Sequence, residues 1–274
     1  MLYLVFTIDG DWDEYFDTRL TEEQRQPKKV QLISLVRSGV SLASQVINGK
    51  FIHFVHNSPR SGDFFVEPEF VSLWKTIESK GGSVGVHCHE DDPGRAYFSS
   101  DIERMNKSIT SWTKELREKD LHPICYRSGY LSFDRKLIPI LERNRLFLDF
   151  SCEPGRHLTD AGQVVADWRG APENYYRMSY EDHRRIGNSR VFEIPVGTLN
   201  KKYLYIEKSS LWQMWRIART LSKRRETYIV SVLAHTYQFS SHWQRLKIKI
   251  TLKVLKRFGK FINAQEALKL IKEW

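Results

Sequence analysis

Cysteine is scarce in this 274-residue chain: Cys88, Cys125 and Cys152 are too few and too scattered for a disulfide-stapled scaffold or a four-cysteine zinc site. Reduced thiols are expected. The opening MLYLVFTIDG lacks a basic stretch ahead of its apolar run, and the run turns acidic instead of ending in a cleavage signal, so the sequence makes no case for export. No run approaches roughly 18 uncharged apolar residues, and no membrane span is expected. A linker rich in proline, glycine or serine is also missing, so residues 1–274 read as one domain. The motif GxSxG is absent, which removes the usual nucleophile elbow. What is present, 41% hydrophobic and 28% charged residues, is ordinary globular composition and excludes disordered and collagen-like classes.

Basic residues exceed acidic ones by 10, and lysine and arginine concentrate from Lys201 onward, while residues 9–23 are acidic. Such an excess suits anionic partners. No zinc finger, recognition helix or stacking-aromatic module accompanies it, so no nucleic-acid partner is expected. The segment WQRLKIKITLKVLKRFGKF at 243–261 reads as a closing helix with a solvated basic face, with weak contact to an anionic membrane surface as the competing reading.

Seven strand-like runs recur along the chain, at 2–8, 50–57, 83–89, 122–127, 145–151, 190–196 and 228–235. Helical periodicity fills most intervals: 21–48, 69–80 after Pro68, 101–119 capped by Ser99 or Ser100, 133–144, 210–222, and then 242–258 and 264–272. The stretch 153–190 is polar and irregular, and long enough to be an active-site excursion. This alternation predicts an α/β fold, a distorted (β/α)-barrel of about seven parallel strands.

In such folds chemistry gathers at the C-terminal ends of the strands. Here those ends read IDGDWD, HFVHNS, HCHEDD, YRSGY, DFSCEPG and LAHTYQF. Asp9 and Asp11 lie two apart, which in an extended chain points both carboxylates to one side, a costly arrangement without a cation or an arginine between them. His87 and His89 share that spacing and are followed by Glu90, Asp91 and Asp92, a ligand set suited to zinc or a similar divalent ion. Arg127 can hold a carboxylate in its charged form, and His235 can donate a proton. His53 and His56, near the second strand end, are left outside this set because His53 lies two residues inside its strand.

Taken in order, TIDGDWD, GVHCHEDDP, YRSGY, LFLDFSCEPG, FEIPV and LAHTYQF resemble the motifs of the polysaccharide deacetylases, the NodB-homology or family 4 carbohydrate esterase group, over roughly residues 3–272. The resemblance implies a hydrolase that removes acetyl groups from sugars, usually with zinc. It makes Asp9 the base, Asp11 and His87 metal ligands, Arg127 the brace of Asp9 and His235 the acid. The pattern departs in two places. Gly10 separates aspartates that are adjacent in the common motif, and Asp91 stands where the second histidine belongs, so His89 and Asp91 compete for the third ligand position.

Exposed aromatic faces suit sugars, and Trp12, Tyr130, Trp168 and Tyr237 fall in rim loops as candidate substrate contacts. The expected substrate is an acylated sugar, nucleotide-sugar or lipid-linked glycan in surface-polysaccharide biosynthesis, and the expected location is cytoplasmic, peripheral to the inner face of the membrane. Competing readings are a formyl, other-acyl or O-acetyl hydrolase, and an inactive glycan-binding or assembly protein that keeps the fold.

Overall fold

The computed structural model describes residues 1–11, 22–59, 61, 63–90 and 95–272, and of residues 22–27 the backbone alone. Its first strand, β1 (Leu2–Asp9), is an uninterrupted apolar run because both of its faces are covered. It pairs in parallel with β2 (Phe51–Asn57), which pairs with β3 (Ser83–Cys88), then β4 (Cys125–Ser128) and β5 (Leu148–Asp149). Two further hairpin strands, β6 (His157–Asp160) and β7 (Gln163–Asp167), pair antiparallel, so the expected irregular excursion carries a small sheet of its own. The antiparallel edge strand β8 (Tyr176–Arg177) joins β9 (Phe192–Glu193), which returns to the parallel ladder beside β5. A second hairpin, β10 (Thr198–Leu199) and β11 (Lys202–Tyr203), precedes β12 (Tyr228–His235), which lies on the other side of β1 along its whole length. A short β13 (Lys260–Phe261) touches the start of β1.

Seven parallel strands thus run in the order β12-β1-β2-β3-β4-β5-β9. The sheet is curled, and among the described residues its free edge at β12 is met by isolated parallel bridges, Val196 to Ser231 just past β9 and Tyr205 to Leu233, instead of by a ladder. This is a distorted (β/α)-barrel.

Helices α1 (Glu22–Ile47), α2 (Pro68–Ser79), α3 (Ile102–Glu118), α4 (Ile138–Arg143), α5 (Leu211–Leu221) and α6 (His242–Leu255) cover the outer face, and α7 (Ala264–Lys272) closes the inner side. The α3 cap is Asp101, whose carboxylate accepts from the amides of Glu103 and Arg104; the expected caps Ser99 and Ser100 lie in the preceding turn. Within α1, Lys28–Ile47 is long and apolar enough by composition to cross a bilayer, yet half of it is buried in this fold. Leu32, Val36 and Ala43 there belong to the main core.

Period-two alternation sorts the strands into two cores. Leu2, Leu4, Phe6 and Ile8 of β1 face the helices, whereas Val5 joins Ile52, Phe54, Phe150, Ile194 and Ile229 in a second cluster inside the curled sheet. Ala264, Ala267 and Ile271 of α7 pack into that inner cluster. The inner apolar layer is the floor on which the site stands.

Candidate active site

Arg127 has its side chain fully buried, with its guanidinium carbon 4.8 Å from the ring centre of Phe54 and 5.8 Å from that of Phe150. A buried cation needs fixed acceptors. Its Nε donates to the carbonyl of Phe150 at 2.9 Å, and its Nη1 donates to Thr7 Oγ1 at 2.8 Å and to Asp9 Oδ1 at 2.6 Å. Thr7 and Asp9 are two apart on β1 and meet the same guanidinium nitrogen, as strand alternation requires.

Asp11 lies beyond the end of β1, one residue past Gly10. A methyl group at Gly10 would stand 2.7 Å from the carbonyl oxygen of Phe54, whose lone pairs already accept from the Gly10 amide, so the spacer must be glycine. Three imidazoles gather on Asp11 Oδ1: His56 Nδ1 at 3.0 Å, His87 Nε2 at 3.0 Å and His89 Nε2 at 3.5 Å. His56 and His87 are register partners on β2 and β3. The pairing outlasts the strands by one residue, since the His89 amide donates to the carbonyl of Asn57 at 2.8 Å, and the extension sets His87 and His89 side by side with ring centres 4.8 Å apart. Gly129 leaves room for this ring; a methyl group there would lie 2.6 Å from it. Among the described residues these four side chains offer ligand atoms all within 4.8 Å of one another.

The donor chemistry fits a divalent cation. His87 Nδ1 lies 2.8 Å from the carbonyl of Arg127, which can only accept, so Nδ1 carries the hydrogen. In the neutral ring Nε2 is then a bare lone pair, and it faces a carboxylate oxygen 3.0 Å away. Two acceptors at that distance require a cation or a proton between them. Burial alone would raise Asp11, but positive charge on His89 and His87 when those rings are protonated, with a hydrogen bond from His56, outweighs it and holds the carboxyl well below its ordinary range. Burial pushes His56 down to about 4, toward the neutral form a metal needs.

His235 completes the arrangement as the register partner of Asp9 across β1 and β12. Its Nε2 is 4.0 Å from Asp9 Oδ2 and 3.9 Å from Asp11 Oδ2, so it faces both carboxylates. The ring stacks on Tyr237 with centres 5.0 Å apart, Tyr205 brings its hydroxyl within 3.5 Å, and Glu207 approaches Nδ1 at 3.8 Å while accepting from the Tyr237 hydroxyl at 2.7 Å.

Asp9, Asp11, His87, His89, Arg127 and His235, named from sequence, therefore converge. Asp91 and Trp12 lie outside the described residues. Tyr130 sits at the site, its ring centre 5.2 Å from that of His89, and Tyr237 lies against His235. Trp168 corrects the rim reading: it is fully buried against Phe133 and His183, and its indole donates to the carbonyl of Leu131 at 2.8 Å, so it has no face to offer a sugar. His56, Tyr205 and Glu207 were not foreseen. Parity gives the signal for His56, which shares the inner face of β2 with Ile52 and Phe54, whereas His53 points outward onto Trp74.

Superposed on solved structures, the chain matches a protein assigned as a polysaccharide deacetylase from Mycobacterium smegmatis with a TM-score of 0.63, at 12% identity, over 99% of this chain and 90% of that one. The two share a fold. A protein assigned to cellobiose-phosphate cleavage from Enterococcus faecalis V583 matches with a TM-score of 0.53 at 10% identity, over 97% of this chain and 98% of that one. A family 4 carbohydrate esterase from Streptomyces lividans gives 0.43 at 10% identity, over 93% and 86%. No family model and no curated protein sequence matches the chain. The fold shared with the Mycobacterium smegmatis protein thus carries, in this chain, an aspartate and histidine cluster compatible with metal-assisted hydrolysis.

Proposed function

We propose that the chain is a metal-dependent hydrolase that removes an N-acetyl group from a sugar or glycan intermediate of surface-polysaccharide biosynthesis. The observation that carries this reading is two neighbouring carboxylates held in different ways, Asp11 among imidazoles and Asp9 against a buried guanidinium. Asp11, His87 and His89 would hold one divalent ion, zinc foremost, with His56 as a further donor or as the partner that orients Asp11. When bound, that ion supplies a Lewis acid for the acyl carbonyl.

The rest of the work falls to the chain. Arg127 occupies Asp9 Oδ1 and fixes the carboxylate, which leaves Oδ2 to take a proton from the attacking water. Its location beside His235 Nε2 puts the base and the acid within reach of one reacting carbon. His235 then gives a proton to the departing sugar nitrogen, its ring angle set by Tyr237, Tyr205 and Glu207. Tyr130 and Tyr237 offer ring faces for the sugar. The substrate is an acylated sugar, nucleotide-sugar or lipid-linked glycan, met in the cytoplasm.

Metal analysis of the purified protein, followed by acetate release from a panel of N-acetylated sugars, tests the proposal. Near-stoichiometric metal and release that stops on chelation are expected. A folded protein that binds metal and sugar but releases no acyl group from any of them would replace the hydrolase with a glycan-binding protein.

A further inference from the structure

Two tryptophans stand in solvent on neighbouring helices, Trp212 at 65% exposure and Trp243 at 76%. Large apolar side chains grouped in solvent are the kind of surface that marks an interaction site. Each occupies the first turn of its helix, α5 or α6, and the two helices pack against each other. Both first turns lie at the C-terminal edge of the sheet. Four residues before α5 stands Glu207, beside His235, and α6 follows the turn that leaves His235 at the end of β12. The exposed indoles are therefore on the same end of the molecule as the site.

Further apolar side chains continue this face. Leu211 precedes Trp212, and Leu246 and Ile250 follow Trp243 at helical spacing on the outward crest of α6. Trp212 stacks on Trp215 with ring centres 4.6 Å apart, and Arg219 lies over Trp215 at 5.0 Å. Charge is sorted as sharply. Between residues 208 and 265 the chain has 13 lysines and arginines and a single acid, Glu226, which lies beyond the far end of α5. Arg216, Arg219, Lys223 and Arg224 line an open groove of about 600 Å³ beside Trp212 and Trp215, and the exposed Lys253 continues the basic surface on α6.

We propose that this face of α5 and α6 docks on an anionic lipid bilayer, with Trp212 and Trp243 in the headgroup layer and the surrounding arginines and lysines on lipid phosphates. Indoles prefer that layer, where one edge of the ring is wet and the other apolar. The pairing of aromatics with a cationic rim matches an anionic membrane surface in both chemistry and sign. Docking would hold the site's end of the barrel at the membrane. The inference stands independently of the hydrolase reading, because its test reads binding alone.

The test is co-sedimentation of the full chain with vesicles of phosphatidylcholine alone or mixed with phosphatidylglycerol, at low and physiological salt, with tryptophan emission recorded alongside. Binding to the mixed vesicles with a blue shift, weakened by salt, is expected. Arg216→Gln with Lys253→Gln should reduce binding roughly fivefold for each charge removed. Trp212→Ser with Trp243→Ser should abolish the blue shift and leave circular dichroism unchanged, since both rings are exposed. Equal binding to both vesicle types, no binding at low salt, or full binding by the folded double tryptophan variant would overturn the proposal. A concentration-dependent dimer that these serine variants dissolve, without vesicle binding, would instead assign the face to a second copy of the chain.

Discussion

Asp9 and Asp11 differ by one glycine in sequence and by their partners in space, and substitution should separate their roles. Asp9→Asn leaves the histidine cluster intact, so metal content should be retained while turnover falls by about 10²- to 10⁴-fold, the range for a positioned base. Steady-state acyl release beside metal analysis checks this, and unchanged turnover in Asp9→Asn would remove the residue from the base role. His56 gives a second case. Its hydrogen bond to Asp11 Oδ1 predicts that His56→Ala weakens metal binding by about 10- to 100-fold, as measured by competition with a chelating dye. Gly129→Ala puts a methyl group into the His89 ring and should lower metal affinity with little change in melting temperature. An unaltered affinity in that variant would mean that His89 is not held where the cluster needs it.

Among the elements, long apolar strands were the most legible, since β1 and β12 carry uninterrupted β-rich runs and end in polar residues. Legibility fell where burial erases alternation. In FIHFVHN both faces are covered, so period two leaves no polar trace: parity sets His53 and His56 on opposite faces, but the sequence does not say which of the two faces is the inner one. Trp168 fails for a different reason: the polar stretch around it hides a hairpin whose own packing takes the indole inside. The α3 cap was misread by one or two residues because the sequence offers Ser99, Ser100 and Asp101 in succession, and only the backbone's exit angle chooses. Asp101→Ala should cost about 1 kcal/mol in chemical denaturation, the usual loss for a cap, whereas Ser100→Ala should cost less.

At the scale of the molecule, buried titratable groups set the pH limits of stability. Burial pushes His53 down to about 3, below the unfolded value near 6.5. A group depressed on folding contributes stability that is present above the unfolded value and is lost as pH falls toward the folded one. Melting temperature should therefore drop between about pH 6.5 and 3, and His53→Leu, which keeps a side chain against Trp74, should flatten that limb. The opposite limb has its own source. Asp149 and Glu193 are fully buried register partners, and burial raises both carboxyls, so their contribution is present at low pH and is lost as pH rises through the raised values.

The strand order has a kinetic consequence. The ladder that seats His235 opposite Asp9 joins segments about 225 residues apart, as the bond from Thr7 Oγ1 to the Val232 carbonyl measures. Loop closure of that length must precede any return from the contacts it makes, which slows assembly of parallel sheets. The proposed base and acid therefore come together only once the first and last strands of the parallel ladder in the chain, β1 and β12, have paired. A nascent or partly folded chain has β1 exposed along one edge while it waits, an apolar template open to pairing with another molecule, and refolding yield should fall with protein concentration for that reason.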